Sequence, residues 1–281
     1  MLVHMKDILK QAKSDKYAIP QFNINNLEWT RFILEACEEK QSPVILGVSE
    51  SAANYMGGYK TVVHIVEDLI NYLNITIPVV LHLDHGKNIN TCKEAINAGF
   101  SSVMIDASRE ELNENIRITN EVIEYAKKYN VSVEGELGYI GTTDESKTPP
   151  TQDILKYINE TAVDALAVAL GNIHGIYKSE PKLDFSKMKE IQENTTVPIV
   201  LHGGSGIEDE KIKKAVSLGI TKLNINTDLQ VAWANAVRKY VTETEEYDPR
   251  KIIKSGEKAI KEIVYQKIEL LGSSKAYIQN K

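Results

Sequence analysis

Three histidines stand directly after short apolar runs at well-separated places in the chain: His85, His174 and His202. Imidazole nitrogens are common zinc ligands, and a catalytic zinc uses three protein ligands while one position stays open for substrate. One such histidine alone would more often be structural, so the prediction depends on the fold bringing all three together. His82, two residues before Asp84, is expected to point into the core instead.

Carboxylate and amide side chains follow other apolar runs in the same way. Asp84 comes immediately before the first of these histidines, and Asp106 and Glu136 end two further runs. Asp106 and Glu136 fit three roles equally well: groups that orient metal ligands, a second metal site, or ordinary ion-pair partners. The other polar residues at such positions are Asn23, Ser49, Asn224, Asn226 and Asp228.

A glycine-rich segment, GGSG (203–206), follows the seventh apolar run. Flexible glycines allow several backbone N–H groups to converge on an anion, which makes the segment a candidate phosphate site. Lysine is absent from the ends of the runs: Lys222 opens the eighth run and Lys87 lies in a loop after the third. Because a Schiff-base enzyme needs a desolvated lysine in the active site, this pattern disfavours an imine mechanism.

The elements that must position these residues are eight apolar runs, each followed by a longer amphipathic segment. Several runs are almost continuously apolar, as is typical of parallel strands buried on both faces. The runs begin at Ala18, Pro43, Pro78, Ser102, Val131, Ala165, Pro198 and Lys222. Eight βα units predict one α/β domain over residues 1–281, a (β/α)8 TIM barrel with extra C-terminal helices. Residues 229–271 are expected to form two helices, broken at Asp248 and Pro249.

A barrel explains why the polar residues follow the runs, since the active sites of such barrels lie at the carboxyl ends of the strands. The chain has 281 residues, a length typical of one such barrel, and 33 Lys and Arg against 39 Asp and Glu give it a net charge of −6. This charge argues against nucleic-acid binding. Cys37 and Cys92 show no metal-binding spacing. No apolar run is long enough to span a membrane, and a cytoplasmic protein is expected.

Several motifs in a fixed order resemble the zinc-dependent class II fructose-1,6-bisphosphate aldolases, in particular the short bacterial members of that family. The resemblance covers nearly the whole chain. The motifs are LHLDHG (81–86), VMIDAS (103–108), VEGELG (133–138), ALGNIHGIYK (169–178), VLHGGSGI (200–207), NINT (224–227) and YDPRK (247–251).

The resemblance implies a role for each candidate residue. His85, His174 and His202 would hold the catalytic Zn²⁺, with Asp106 and Glu136 at a second or alternative site and a monovalent cation nearby. Asp84 would move the proton of the C4 hydroxyl. The residues implied in binding dihydroxyacetone phosphate are Gly175, Gly203, Gly204, Ser205, Asn224, Asn226 and Thr227, with Asn23 lining the same pocket. Ser49 and Arg250 would meet the second phosphate, with Arg250 reaching across from a neighbouring subunit of a homo-oligomer, a dimer or a tetramer.

The chain departs from the family pattern in the loop of residues 139–152, which is short and contains Pro149 and Pro150. In the family, a glutamate of this loop removes the proton from dihydroxyacetone phosphate. By register the equivalent is Asp144, which is one methylene shorter, and Glu145 is the alternative base. Arg109 also stands where many relatives have histidine.

The expected activity is the reversible cleavage of fructose 1,6-bisphosphate to dihydroxyacetone phosphate and glyceraldehyde 3-phosphate through a zinc-stabilised enediolate. The alternative is an aldolase for tagatose 1,6-bisphosphate or another ketose phosphate. A metal hydrolase is disfavoured, because such barrels often have paired histidines on the first strand, where this chain has Gln21, Phe22 and Asn23. A catalytically weak metal-binding barrel is the third hypothesis, motivated by the altered loop.

Overall fold

Eight parallel strands close into a barrel, in which each strand pairs with the next and the eighth pairs with the first. The computed structural model describes residues 2–141, 148–173, 175 and 181–277. The strands are β1 Ile19–Asn23, β2 Val44–Val48, β3 Val79–Gly86, β4 Ser102–Ile105, β5 Ser132–Leu137, β6 Ala165–Val168, β7 Ile199–Leu201 and β8 Ile220–Ile225. All eight predicted strands are present, and the (β/α)8 prediction is confirmed.

Helices surround the barrel and connect successive strands. They are α1 Met5–Asp15, α2 Leu27–Glu39, α3 Glu50–Tyr55, α4 Tyr59–Tyr72, α5 Ile89–Ala98, α6 Leu112–Ala126, α7 Thr151–Thr161, α8 Phe185–Asn194, α9 Asp209–Ser217, α10 Thr227–Glu243, α11 Pro249–Lys254 and α12 Glu257–Leu271. A short 3₁₀ turn, Lys127–Tyr129, follows α6.

The prediction of two C-terminal helices is wrong, because the tail forms α10, α11 and α12. Pro249 was expected to mark the break between two helices, but it is the first residue of α11, since the first turn of a helix does not need the N–H that proline lacks. The Asp248 side chain accepts a hydrogen bond from the Arg250 N–H and caps that turn. A further break at Gly256 separates α11 from α12.

The apolar core has two layers. The larger layer lies between the strands and the outer helices, and the smaller one fills the inside of the barrel. Helix α1 closes the amino-terminal end by burying Met5, Leu9 and Ala12 against inward residues such as Ile45 and Val200. The sequence pattern did not single out this helix. With one end closed, the carboxyl ends of the strands form the open end of the barrel.

In the part of the chain that the structure describes, every helix is too short or too polar to cross a lipid bilayer.

Candidate active site

A cavity of about 610 Å³ opens at the carboxyl ends of the strands, within the size range of small-molecule sites. Asn23, Ser49, Asp84, His85, Asp106, Gly175, Gly203, Ser205, Asn224, Asn226 and Thr227 line it, together with Asn25, Lys87, Arg109, Tyr139 and Ile140. Most of the site residues predicted at the strand ends therefore line a single cavity.

Strand β3 brings two consecutive side chains, Asp84 and His85, into this cavity. Strict alternation along a strand would place them on opposite faces. His85 instead has a left-handed backbone with φ of 53°, and the register between β3 and β4 shifts between Leu83 and Gly86. Such irregularities re-aim a side chain next to an active site, and a left-handed non-glycine residue costs about 1–3 kcal/mol. This strained local backbone therefore turns the His85 side chain toward His202.

The His85 and His202 rings meet nearly at right angles, with the His85 Nε2 atom 3.0 Å from the His202 Nδ1 atom. The opposite nitrogen of each ring faces a carboxylate. His85 Nδ1 lies 3.0 Å from Asp106 Oδ2, and His202 Nε2 lies 3.0 Å from Glu134 Oε1. Because an ionised carboxylate can only accept, these contacts direct the lone pairs of both rings toward the gap between them.

This arrangement fits a zinc ion. Two imidazole nitrogens bound to one tetrahedral zinc at 2.0–2.1 Å lie about 3.3 Å apart, close to the separation seen here. Without a metal, the 3.0 Å contact is a hydrogen bond. Burial acts to lower the pKa of His85, but Asp84, Asp106 and Glu136 raise it to about 10, so a protonated His85 donates to His202 Nδ1, and a metal would take the place of that proton. Ligand atoms of Asp84, His85 and His202 lie within 4.8 Å of one another, and the same holds for His85, Asp106 and Glu136. The donor set can thus hold a metal at one of two overlapping positions.

Asp84 is buried between two amides at the bottom of the cavity. Asn23 Nδ2 donates to Asp84 Oδ2 at 2.8 Å, and Asn224 Nδ2 donates to Asp84 Oδ1 at 3.3 Å. Burial alone would raise the pKa of the Asp84 carboxyl, but the charges of His85, His202 and Lys222 lower that pKa well below its usual range. Asp84 is consequently ionised at neutral pH and able to accept a proton.

Asp106 and Glu136 differ in their electrostatics although both face His85. Burial acts to raise the pKa of Asp106, yet the hydrogen bonds from His85 and Ser108 outweigh it and lower that pKa. Glu136 is fully buried, and the loss of solvation raises its pKa to about 8. Its Oε2 atom lies 3.7 Å from His85 Nδ1 and 3.8 Å from His202 Nδ1. A cation beside Glu136 would favour its charged form.

The other end of the cavity is formed by the loop after β7 and the first turn of α10. Ser205 Oγ accepts hydrogen bonds from the N–H groups of Asn226 and Asp228. A helix N-terminus carries partial positive charge and free N–H groups, which suits it to a phosphate. Within the described part of the chain, no donor reaches the buried side-chain oxygens of Asn224 and Asn226, so both can accept from a ligand.

Gly204 lies behind the cavity wall. Its N–H donates to the Asn224 carbonyl at 2.9 Å, so it is not directed at a ligand. A Cβ atom at this position would lie 2.6 Å from the Leu223 side chain and 3.0 Å from the Asn224 carbonyl oxygen. Gly204 therefore permits the close approach of this loop to β8.

A buried ion pair below the histidines was not identified from the sequence. Lys222 Nζ lies 2.8 Å from Glu134 Oε2, and both side chains are completely buried inside the barrel. Lys222 lies in the middle of β8 and does not open that strand as predicted. The sequence did contain one signal for this pair. Lys222 stands two positions before Asn224, and Glu134 two positions before Glu136. Residues two apart on a strand point to the same face, so both charges could have been placed on the inner face of the barrel. His82 points into the same interior as predicted, with Nδ1 2.8 Å from Ser102 Oγ.

Four predicted positions lie away from this constellation or cannot be placed in it. His174, Asp144 and Glu145 fall outside the described residues. Arg250 is not among the residues that line the cavity of its own chain; its side chain is 89% exposed and pairs with Asp248. Arg109 does line the cavity, with its guanidinium carbon 4.1 Å from the centroid of the Tyr139 ring.

A closed parallel barrel whose strand ends gather histidines and carboxylates around a cavity of small-molecule size is typical of (β/α)8-barrel enzymes. Comparison with known proteins makes the assignment specific. The family model "Fructose-bisphosphate aldolase class-II" matches residues 3–276. A fructose-bisphosphate aldolase of Geobacillus stearothermophilus is 51% identical over 280 residues, which are 97% of this chain and 98% of the relative.

Two further proteins agree with this assignment. A fructose-bisphosphate aldolase of Staphylococcus aureus (strain Mu50 / ATCC 700699) is 50% identical over 280 residues, with the same coverage of both chains. The crystal structure of the YdjI aldolase from Escherichia coli K12 matches with a TM-score of 0.86 and 35% identity over 98% of each chain. The chain therefore belongs to the class II fructose-bisphosphate aldolase family, and the resemblance noted from its motifs is confirmed.

Proposed function

We propose that the protein is a cytoplasmic lyase of glycolysis and gluconeogenesis. It reversibly cleaves fructose 1,6-bisphosphate to dihydroxyacetone phosphate and glyceraldehyde 3-phosphate. The observation that carries the proposal is the cluster of Asp84 and His85, which line the cavity, with the buried His202 directly beside them. Full-length similarity to curated fructose-bisphosphate aldolases supports the choice of substrate.

His85, His202 and, by the resemblance, His174 would hold a zinc ion, with Asp106 and Glu136 supplying an alternative or second site. When bound, zinc supplies a Lewis acid that stabilises negative charge on the substrate's carbonyl oxygen. A monovalent cation near the phosphate is part of the same proposal. With a metal in this role no imine is needed. Lys222 is paired with Glu134 beneath the site and does not line the cavity, and the lysine that does line it, Lys87, lies in the loop after β3 and not on a strand.

Asp84 accepts the proton of the C4 hydroxyl as the C3–C4 bond breaks, and returns it in the direction of synthesis. Its lowered pKa keeps it ionised, and the amides of Asn23 and Asn224 hold both carboxylate oxygens in place. This fixed geometry orients the accepting oxygen before the substrate arrives. A carboxylate of the loop at Asp144 and Glu145 exchanges the proton on the dihydroxyacetone phosphate carbon.

The two phosphates bind at opposite ends of the cavity. The N–H groups of the loop at Gly203 and of the first turn of α10 receive the phosphate of dihydroxyacetone phosphate, with Ser205 and Gly175 beside them. Ser49 lies at the other end and caps α3 through a hydrogen bond from the Ala52 N–H. Arg250 of the partner subunit completes this second phosphate site in a homo-oligomer.

The test is coupled turnover on fructose and tagatose 1,6-bisphosphates, before and after EDTA treatment and with zinc added back. The expected result is fructose bisphosphate cleavage that EDTA abolishes, that zinc restores and that borohydride does not trap. Preference for tagatose bisphosphate would replace the proposed substrate with its stereoisomer. Turnover of neither sugar by a zinc-loaded protein would contradict the proposal and favour another ketose phosphate or a catalytically weak barrel.

A further inference from the structure

Below the two facing histidines, a chain of buried polar contacts runs from β7 through β5 to β8. His202 Nε2 lies 3.0 Å from Glu134 Oε1, and Glu134 Oε2 lies 2.8 Å from Lys222 Nζ. His202, Glu134 and Lys222 are all completely buried. The proposed reaction gives Glu134 and Lys222 no role, because neither residue lines the cavity.

Lys222 and Glu134 neutralise each other inside the barrel, and removing either one would leave a buried charge without a partner, which is strongly destabilising. Lysine offers three N–H donors and no acceptor, so the Glu134 oxygen that faces Lys222 must accept. The other oxygen of the same carboxylate faces His202. An ionised carboxylate is acceptor-only at both oxygens, so His202 must carry its proton on Nε2.

The tautomer of His202 decides whether the ring can bind a metal at the site facing His85. With the proton on Nε2, the lone pair is on Nδ1, which lies 3.0 Å from His85 Nε2. With the proton on Nδ1, an N–H group would occupy the direction of the metal. Partners of this kind orient metal-binding histidines and fix their tautomers in many metalloproteins.

We propose that the Lys222–Glu134 pair is a positioning device that fixes His202 in the tautomer able to bind metal through Nδ1. The inference rests on the proposed metal site and extends it to two residues inside the barrel. The orientation of Glu134 is itself fixed from both sides, by Lys222 at one oxygen and His202 at the other.

The decisive variant is Glu134→Gln, which keeps the shape of the side chain. Lys222 can only donate, so the glutamine must present its carbonyl oxygen to Lys222 and its NH₂ group to His202. The NH₂ group then requires Nε2 to accept, which moves the His202 proton to Nδ1. Adding Lys222→Met removes this constraint, because methionine does not donate, and the amide can turn its oxygen toward His202.

Zinc affinity is measured by competition with a chromophoric chelator, and thermal unfolding of the metal-free proteins is recorded in parallel. The expected result for Glu134→Gln is a loss of zinc affinity of about 10- to 100-fold. The double variant Glu134→Gln/Lys222→Met should recover most of this loss. Tyr157→Phe is the matched control, since it removes a buried hydroxyl that contacts Thr119 and neither histidine.

Two results would overturn the inference: zinc affinity of Glu134→Gln within about threefold of the wild type, or a double variant that binds no better than the single one. A purely structural role for the pair would make the double variant the weakest of the series, whereas a tautomer effect makes it stronger than Glu134→Gln. If the wild-type protein itself bound no zinc, the proposed metal site would fail instead, so the two failures are distinguishable.

Discussion

Asp84 is a proton acceptor whose position depends on two amides and whose charge depends on its neighbours. Asp84→Asn keeps the shape of the side chain and the space it fills, but the amide cannot take up a proton. Because positioned general bases contribute about 10²- to 10⁴-fold, we expect kcat for cleavage to fall by that range. The measurement is steady-state turnover of the zinc-loaded variant, with the zinc content determined on the same sample.

Asp164→Asn is the matched control for this variant. Asp164, directly before β6, accepts a hydrogen bond from the Val133 N–H near the start of β5, at the opposite end of the barrel from the cavity. The same chemical change there should leave kcat within about threefold of the wild type, because the residue touches no part of the cavity. An Asp84→Asn enzyme that kept more than a tenth of its kcat would contradict the role assigned to Asp84.

The second proton-transfer group is proposed to be either Asp144 or Glu145, in the loop of residues 139–152. We expect Asp144→Ala and Glu145→Ala to differ sharply, because a single general base removes the proton from the carbon of dihydroxyacetone phosphate. The base variant should lose about 10²-fold or more of the exchange rate, and the other should stay within about tenfold. Exchange of the carbon-bound proton of dihydroxyacetone phosphate with solvent isolates this step. Equal rates for the two variants would show that the base lies elsewhere.

At the scale of the elements, the alternation of apolar runs and amphipathic segments was sufficient to predict all eight strands, because continuous burial makes their sequences nearly uniformly apolar. The side-chain directions were harder to predict. The turn of His85 into the cavity depends on its positive φ and on the register shift after Leu83. Neither has a signature in the residue types, so the position of His85 was predictable while its local geometry was not.

The interior of the barrel was the least predictable part. Glu134 and Lys222 come from strands separated by 88 residues in sequence, and only the closed sheet brings them within 2.8 Å. Each residue alone resembles an exposed charge in a strand. Their two-residue spacing from Glu136 and Asn224 is consistent with an inward face, but spacing alone does not say which charges meet. The closure of the barrel decides which of these charges pair, and the residue pattern of a single strand does not contain that information.

Helix α5 allows a clean test of what a capping side chain contributes. Asn88 Oδ1 accepts a hydrogen bond from the Thr91 N–H at 3.0 Å and caps the helix that follows β3. Asn88→Ala should lower the free energy of unfolding by about 1 kcal/mol, because an N–H of the first turn loses its partner. The measurement is urea-induced unfolding of the metal-free protein.

Glu111 provides the control for this element, because it occupies the same position before α6 without a capping hydrogen bond from its side chain. Glu111→Ala should change the free energy of unfolding by less than about 0.5 kcal/mol. Equal losses in Asn88→Ala and Glu111→Ala would show that the capping hydrogen bond itself contributes nothing measurable.

At the scale of the whole molecule, most of the predicted site residues that the structure describes lie around the cavity of one chain, but Arg250 does not. The Arg250 guanidinium donates through Nε and Nη2 to both carboxylate oxygens of Asp248 at the start of α11, and its side chain is exposed to solvent and does not line the cavity of its own chain. To meet a phosphate on a neighbouring molecule, this exposed arginine would exchange its hydrogen bonds to Asp248 for hydrogen bonds to the phosphate. We therefore predict that the proposed second phosphate site is complete only in an oligomer.

Mixed oligomers of two inactive variants distinguish this arrangement from a site formed within one chain. In a dimer of Asp84→Asn and Arg250→Ala chains, the Arg250→Ala chain keeps its own Asp84 and receives an intact arginine from its partner. Random exchange of subunits should then restore about a quarter of the wild-type turnover, because half of the dimers are mixed and each has one complete site. A site formed within one chain would show no recovery on mixing. Lys251→Ala, which removes a neighbouring cation paired with Glu246, should retain full turnover and act as the control for charge on this surface.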